Sequence, residues 1–156
     1  MRTIGGLLLV LFTCTAFWIA SCTPDFIKKL PQKDKEEYES LFEKYKNISR
    51  KEFYNLRLKW AQSKGSKVGE MYKQYLEEEF QYLATRFAVL KGRLDKAEGS
   101  EAAKNFLYEL LALQHNLNIS LGDYEEREES MRHEIPQYVL QEATTIWNSL
   151  KPMYID

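Results

Sequence analysis

Beyond residue 33, apolar positions recur every three to four residues, the interval of a helix face. Tyr38, Leu41, Phe42, Tyr45 and Ile48 predict a first helix, opened by a capping-box pattern at Asp34-Lys-Glu-Glu37. A second box, Ser49-Arg-Lys-Glu52, opens a segment to about Lys64, where Gly65 suits a C-terminal cap. The longest segment covers about residues 67–97. In it Leu76, Phe80, Leu83, Phe87, Leu90 and Leu94 follow at spacings of 4, 3, 4, 3 and 4, a helix seam. Gly92 lies inside this segment, and Glu98-Gly99-Ser100 ends it. Ser100 caps the next helix, whose stripe is Ala103, Phe106, Leu107, Leu110, Leu113 and Leu117 and whose end is Gly122. Asp123-Tyr-Glu-Glu126 reads as the box of a short acidic helix to about Glu134. Pro136 suits the first turn of a last helix, with Val139, Ala143, Ile146, Trp147 and Leu150 on one face and Pro152 as its stop.

One stretch reads differently. In EFYNLRLKWA, Tyr54, Leu56, Leu58 and Trp60 alternate with Asn55, Arg57 and Lys59, the period of a strand. The box before it and the lack of a convincing partner strand favour helix. The expected fold is therefore all-α, a bundle of four to five helices, with the first two segments counted separately or as one bent helix. No internal repeat is visible.

The front of the chain follows another pattern. Arg2 and the amino terminus are positive, and Ile4–Ile19 is a run of 16 residues without charge. A membrane span needs about 20 apolar residues, so the run fits the apolar core of a secretory signal peptide better. An ordinary small-x-small cleavage site fits poorly, because Trp18 or Ile19 would stand at the outer small position. Ile19-Ala20-Ser21-Cys22 instead resembles the lipobox of bacterial lipoproteins: a branched apolar residue, two small residues, then cysteine. The resemblance covers residues 1–22 only. It implies recognition of Ile19, Ala20 and Ser21 by the signal peptidase, and a mature N-terminus at Cys22 carrying covalent lipid. It also implies attachment to a membrane of the bacterial envelope. Thr23 follows where aspartate would signal inner-membrane retention, so the outer membrane is favoured in a Gram-negative organism. The expected organisation is a signal peptide at 1–21, a lipidated tether at 22–33 and a helical domain at 34–156. Two prolines, Pro24 and Pro31, disfavour regular structure in the tether.

Composition narrows the chemistry. The chain has 156 residues and a net charge of −1, so no global field suggests nucleic acid. Cys14 and Cys22 are the only cysteines, which leaves the helical part without a disulfide or a thiolate metal site. The histidines are His115 and His133. Glu129 and His133 share a helix face, but three or four convergent ligands are missing, and the residue three before His133 is Ser130. His133 reads as part of an acidic solvated face, and His115 as plain surface beside Gln114 and Asn116. No nucleophile elbow or phosphate loop occurs. No catalytic residue, metal or cofactor is assigned beyond the lipid on Cys22, and an enzyme is not expected.

Charge is segregated along the chain. Between Lys44 and Lys67 eight basic residues face one acid, Glu52, whereas Asp123–Glu134 holds six acids against Arg127 and Arg132. Arg50, Lys51, Arg57, Lys59 and Trp60 are the candidate contact surface, suited to anionic headgroups, an acidic envelope polymer or an acidic protein face. Such a block also suits single-stranded nucleic acid, which an exported lipoprotein seldom meets. The competing reading packs the basic helix near the acidic one with its aromatics in the core. Ten tyrosines favour a protein-binding surface. The expected function is binding: assembly, escort or stabilisation of an envelope complex by a membrane-anchored lipoprotein. The rivals are a surface-exposed helical adhesin or host-factor binder, a plasmid or phage exclusion or immunity lipoprotein, and a metal-binding envelope protein. The long seam can close within one chain or pair with a second copy as a homo-oligomer.

Overall fold

The computed structural model describes residues 24–155, and all its regular structure is helical. The lipobox residues Ile19, Ala20, Ser21 and Cys22 lie outside the described residues. Seven α-helices follow in order: α1 Asp25–Lys28, α2 Gln32–Ser40, α3 Arg50–Ser63, α4 Ser66–Lys96, α5 Glu101–Gln114, α6 Leu121–Glu134 and α7 Gln137–Ser149. A 3-10 turn, Leu41–Lys44, continues α2. α3–α7 are the five longest helices, and the shorter α1 and α2 pack with them in one bundle.

The alternating stretch is helical throughout, inside α3. Its box is complete: Ser49 Oγ accepts from the Glu52 amide, and Glu52 Oε2 accepts from the Ser49 amide. Ser100 caps α5 as expected, through the Ala103 amide. Gly65 stands past the end of α3 at φ +112°, a conformation other residues rarely adopt, and the chain reverses there into α4.

Three expectations shift in register. Asp34 caps nothing; α2 begins at Gln32 behind Pro31, and Asp34 in its first turn pairs with Lys64 at 2.8 Å. The acidic helix begins three residues earlier than expected, because Ser120 with Asp123 forms the box rather than Asp123 with Glu126. Gly122 therefore ends no helix but sits in the first turn of α6. Its amide donates to the Lys46 carbonyl at 3.1 Å, and a Cβ there would stand 3.0 Å from that oxygen. The part of the expected tether that is described is ordered: α1 buries Ile27 to 1% exposure and sets Phe26 edge-on to Tyr72.

α4, 31 residues and roughly 46 Å long, is the common wall. Its first half packs on α1–α3 around Ile27, Tyr38, Tyr54, Ala61, Tyr72 and Leu76. Its second half packs on α5 and α7 around Leu90, Leu94, Leu107, Leu110, Val139 and Trp147. The buried face of α4 reads Tyr72, Leu76, Glu79, Leu83, Arg86, Leu90 and Leu94. The seam is thus in place, but Glu79 and Arg86 hold positions expected for Phe80 and Phe87. Phe80 is 39% exposed and Phe87 half-buried. Glu79 lies three residues after Leu76 and four before Leu83, so it shares the seam as well as Phe80 does.

The two halves are also joined by backbone. Ser49 and Ser120 pair in an antiparallel bridge. The amides of Arg50 and Lys51 donate to the carbonyls of Ile119 and Leu117 at 3.0 and 2.9 Å. With the Ser49 box, the four N-terminal amides of α3 are satisfied.

Candidate functional site: a groove at the junction of the two cores

The five basic and aromatic residues expected to share a contact surface face opposite ways. Arg50, Arg57 and Trp60 lie on the side of α3 that packs inward and are buried, whereas Lys51 and Lys59 are exposed. Seven residues separate Arg50 from Arg57, which is two helical turns and returns to one face. Arg50 is spent on structure, donating from Nη1 to the Gln114 carbonyl at 2.8 Å. Lys46 reaches Glu125 of the acidic helix at 3.8 Å, and Lys64 pairs with both Asp34 and Glu37. Of the basic block, Lys46, Arg57 and Lys64 thus have acidic partners.

Arg57 is fully buried in an aromatic enclosure. Its guanidinium carbon lies 4.6 Å from the ring centre of Phe53, 5.1 Å from that of Tyr54, and 5.7 Å from those of Phe42 and Tyr72. Nη1 donates to the Tyr38 hydroxyl at 3.2 Å, and Nη2 lies 3.9 Å from Glu79 Oε2. Tyr54 Oη donates to Glu79 Oε1 at 2.8 Å. Burial pushes the Glu79 carboxyl above its ordinary range, against the opposing pull of Tyr54 and Arg57. Arg57 Nε and Nη2 and Glu79 Oε2 make no hydrogen bond among the described residues. An arginine and a carboxylate so placed hold each other in an apolar interior.

A groove of about 600 Å³ opens beside this cluster, between α3, α4 and the 115–118 turn. Tyr54, Leu58, Leu76, Phe80 and Leu117 make its apolar lining. Lys51, Asn55, Lys73, Glu77, His115, Asn116 and Asn118 supply polar groups. Phe80 stands edge-on to Tyr54 with ring centres 5.0 Å apart. Tyr54 thus serves both sides, its ring toward the groove and its hydroxyl on Glu79.

His115 is not the plain surface residue expected. It is half-buried, edge-on to Phe87, with Nδ1 2.8 Å from the Leu111 carbonyl and Nε2 3.5 Å from Arg86 Nη1. An N–H must face that carbonyl, so Nδ1 donates and Nε2 turns its lone pair toward Arg86. Burial, with the Arg86 and Arg50 charges and against the Leu111 bond, pushes its pKa down to about 4. The Leu111 bond fixes the orientation of the ring at the edge of the groove. His133 lies 3.8 Å from Glu129 on the exposed face of α6, as their spacing requires. α6 is not wholly solvated, since Glu128 is buried and accepts from Arg132 at 2.5 Å.

Among the described residues no group of three or more His, Cys, Asp or Glu converges to hold a metal ion, and no helix is long and apolar enough to cross a membrane. The groove joins an apolar lining to cationic, amide and carboxylate groups. No protein-family model, curated protein or solved structure matches the chain.

Sequence reading missed Glu79, Arg86 and His115 as parts of one junction. The available signal was the α4 period itself, which puts residues 79 and 86 on the seam. Their partners come from α3 and from the end of α5, and no local spacing connects these to α4.

Proposed function

We propose that this chain is a bacterial lipoprotein, held by acylated Cys22 at a membrane of the cell envelope, whose helical domain binds an envelope protein through the groove between α3 and α4. The observation that carries the anchor is Ile19-Ala20-Ser21-Cys22 at the end of an uncharged run behind Arg2. The observation that supports binding is the groove, where tyrosine, phenylalanine and leucine lie beside Lys51 and Lys73. Lipid confines the domain to a surface and raises its effective concentration for a partner there. Two or more acyl chains give stable attachment, since each buried CH₂ contributes about 0.8 kcal/mol. The role is assembly, escort or stabilisation of a complex rather than a reaction. With Thr23 after the cysteine, the outer membrane is the destination in a Gram-negative cell.

The test is photocrosslinking in intact envelopes from a reactive residue placed at Asn55, which lines the groove and is exposed. A discrete protein adduct that disappears in the Cys22→Ser form supports the reading. A protein released by Cys22→Ser but giving no adduct from Asn55 rejects the groove and keeps the anchor. A Cys22→Ser form that stays with the membrane rejects the anchor.

A further inference from the structure

α1 fixes where any lipid on Cys22 can go. The Ile27 amide donates to the Pro24 carbonyl at 2.9 Å, Ile27 is 1% exposed, and Phe26 packs edge-on to Tyr72 at 6.2 Å. The chain is therefore bound to the first half of α4 from Pro24 onward. Only Thr23 separates Pro24 from Cys22. Even fully extended, two residues reach about 7 Å. A lipid on Cys22 has no long leash.

We infer that the acylated chain seats the face formed by α1 and the first turns of α4 directly against lipid headgroups, resting on the Cys22 acylation proposed above. That face holds a shallow cleft of about 510 Å³, with Phe26 and Lys28 on one side and Met71, Gln74 and Tyr75 on the other. Met71 is 39% exposed. A tyrosine ring suits the boundary between hydrocarbon and headgroup, and Met71 adds exposed apolar surface beside it. Charge does not provide the attraction. Asp25 pairs with Lys28 at 2.7 Å, and Glu78 lies beside them in the same cleft. The seat is set by chain reach, so it should tolerate uncharged phosphatidylcholine as well as anionic lipid.

The experiment uses the full chain, exported and acylated in cells, then placed in phosphatidylcholine vesicles. Met71→Cys carries an environment-sensitive fluorophore, with Gln74→Cys as a second position should Met71→Cys fold poorly. Tyr138→Cys is the reference, on α7. Its neighbour Val139 packs with Leu90, roughly 28 Å along α4 from Met71. Headgroup-attached spin labels are the quencher. The expected result is at least threefold stronger quenching at 71 or 74 than at 138. Inserting ten Gly/Ser residues between Thr23 and Pro24, a spacer of about 17 Å, should reduce the difference to under 1.5-fold while the protein stays bound. Equal quenching at 71, 74 and 138 in the bound, acylated protein overturns the seat and leaves the lipoprotein reading intact. So does quenching at 71 that the spacer fails to change. An N-terminus without acyl chains, read by mass spectrometry, overturns both.

Discussion

The two halves of the bundle are built on one helix with opposite chemistry. Where α4 meets α5 and α7, the core is Leu90, Leu94, Leu107, Leu110, Val139 and Trp147, apolar and closed. Where it meets α1–α3, the interior holds Tyr38, Tyr72, Arg57 and Glu79. The first core is stabilised by burial and shape, worth about 1.5–3 kcal/mol for each large apolar side chain. The second depends on polar groups finding each other, since a buried charge without its partner costs more than the pair contributes. The groove opens along the polar half and against the junction. The difference teaches that this fold places its groove beside the core that is harder to keep satisfied.

The largest expected effect comes from breaking the polar core. Arg57→Ala leaves Glu79 buried without its counter-charge and should cost about 3–5 kcal/mol in urea unfolding. The double change Arg57→Met with Glu79→Leu should recover most of that loss. A double variant as unstable as the single one would mean that shape, and not charge, holds this half together. In the apolar core Leu107→Ala should cost about 3 kcal/mol through the cavity it leaves, with no second substitution able to restore it by pairing.

His115, between the cores, gives a pH signature. Its folded pKa, about 4, lies below the unfolded value of 6.5. The unfolded chain binds the proton first, so this contribution is complete above pH 6.5 and fades as pH falls toward 4. After allowance for partial exposure it amounts to on the order of 2 kcal/mol. Glu79, with its pKa raised, works the other way: its contribution is complete below the unfolded carboxylate range and lost as pH rises through the folded value. His115→Gln should therefore flatten the acid-side loss between pH 6.5 and 4, seen as the difference between wild-type and variant unfolding free energies. An unchanged slope would place the histidine in water.

The smallest effects are at the joint. Ser49→Ala and Ser120→Ala should each cost about 1 kcal/mol. The two serines pair across the joint, so the double variant should depart from the sum by about 0.5 kcal/mol or more.

Helix positions were legible wherever the cause is local. Ser49-Arg-Lys-Glu52 marks the start of α3, Ser100 that of α5, and the stripe from Val139 to Leu150 is buried as its spacing requires. Misreadings arose where two local patterns overlap and a distant contact chooses between them. Ser120 and Asp123 each stand three residues before an acid, and docking of Gly122 on Lys46 selects the earlier start. In the same way Phe80 was the apolar choice for the seam, but Arg57 and Tyr54 from α3 draw Glu79 into it. Of the candidate surface, exposure of Lys51 and Lys59 was legible. The turn from the end of α5 that completes the groove was not, because nothing near α3 in sequence announces it.

A chain made from its N-terminus completes α3 long before Leu117 and Ile119 exist. Until they arrive, the amides of Arg50 and Lys51 have only water to bond, and the start of that helix frays. Closure of the Ser49–Ser120 bridge is then a late event that makes the early half permanent.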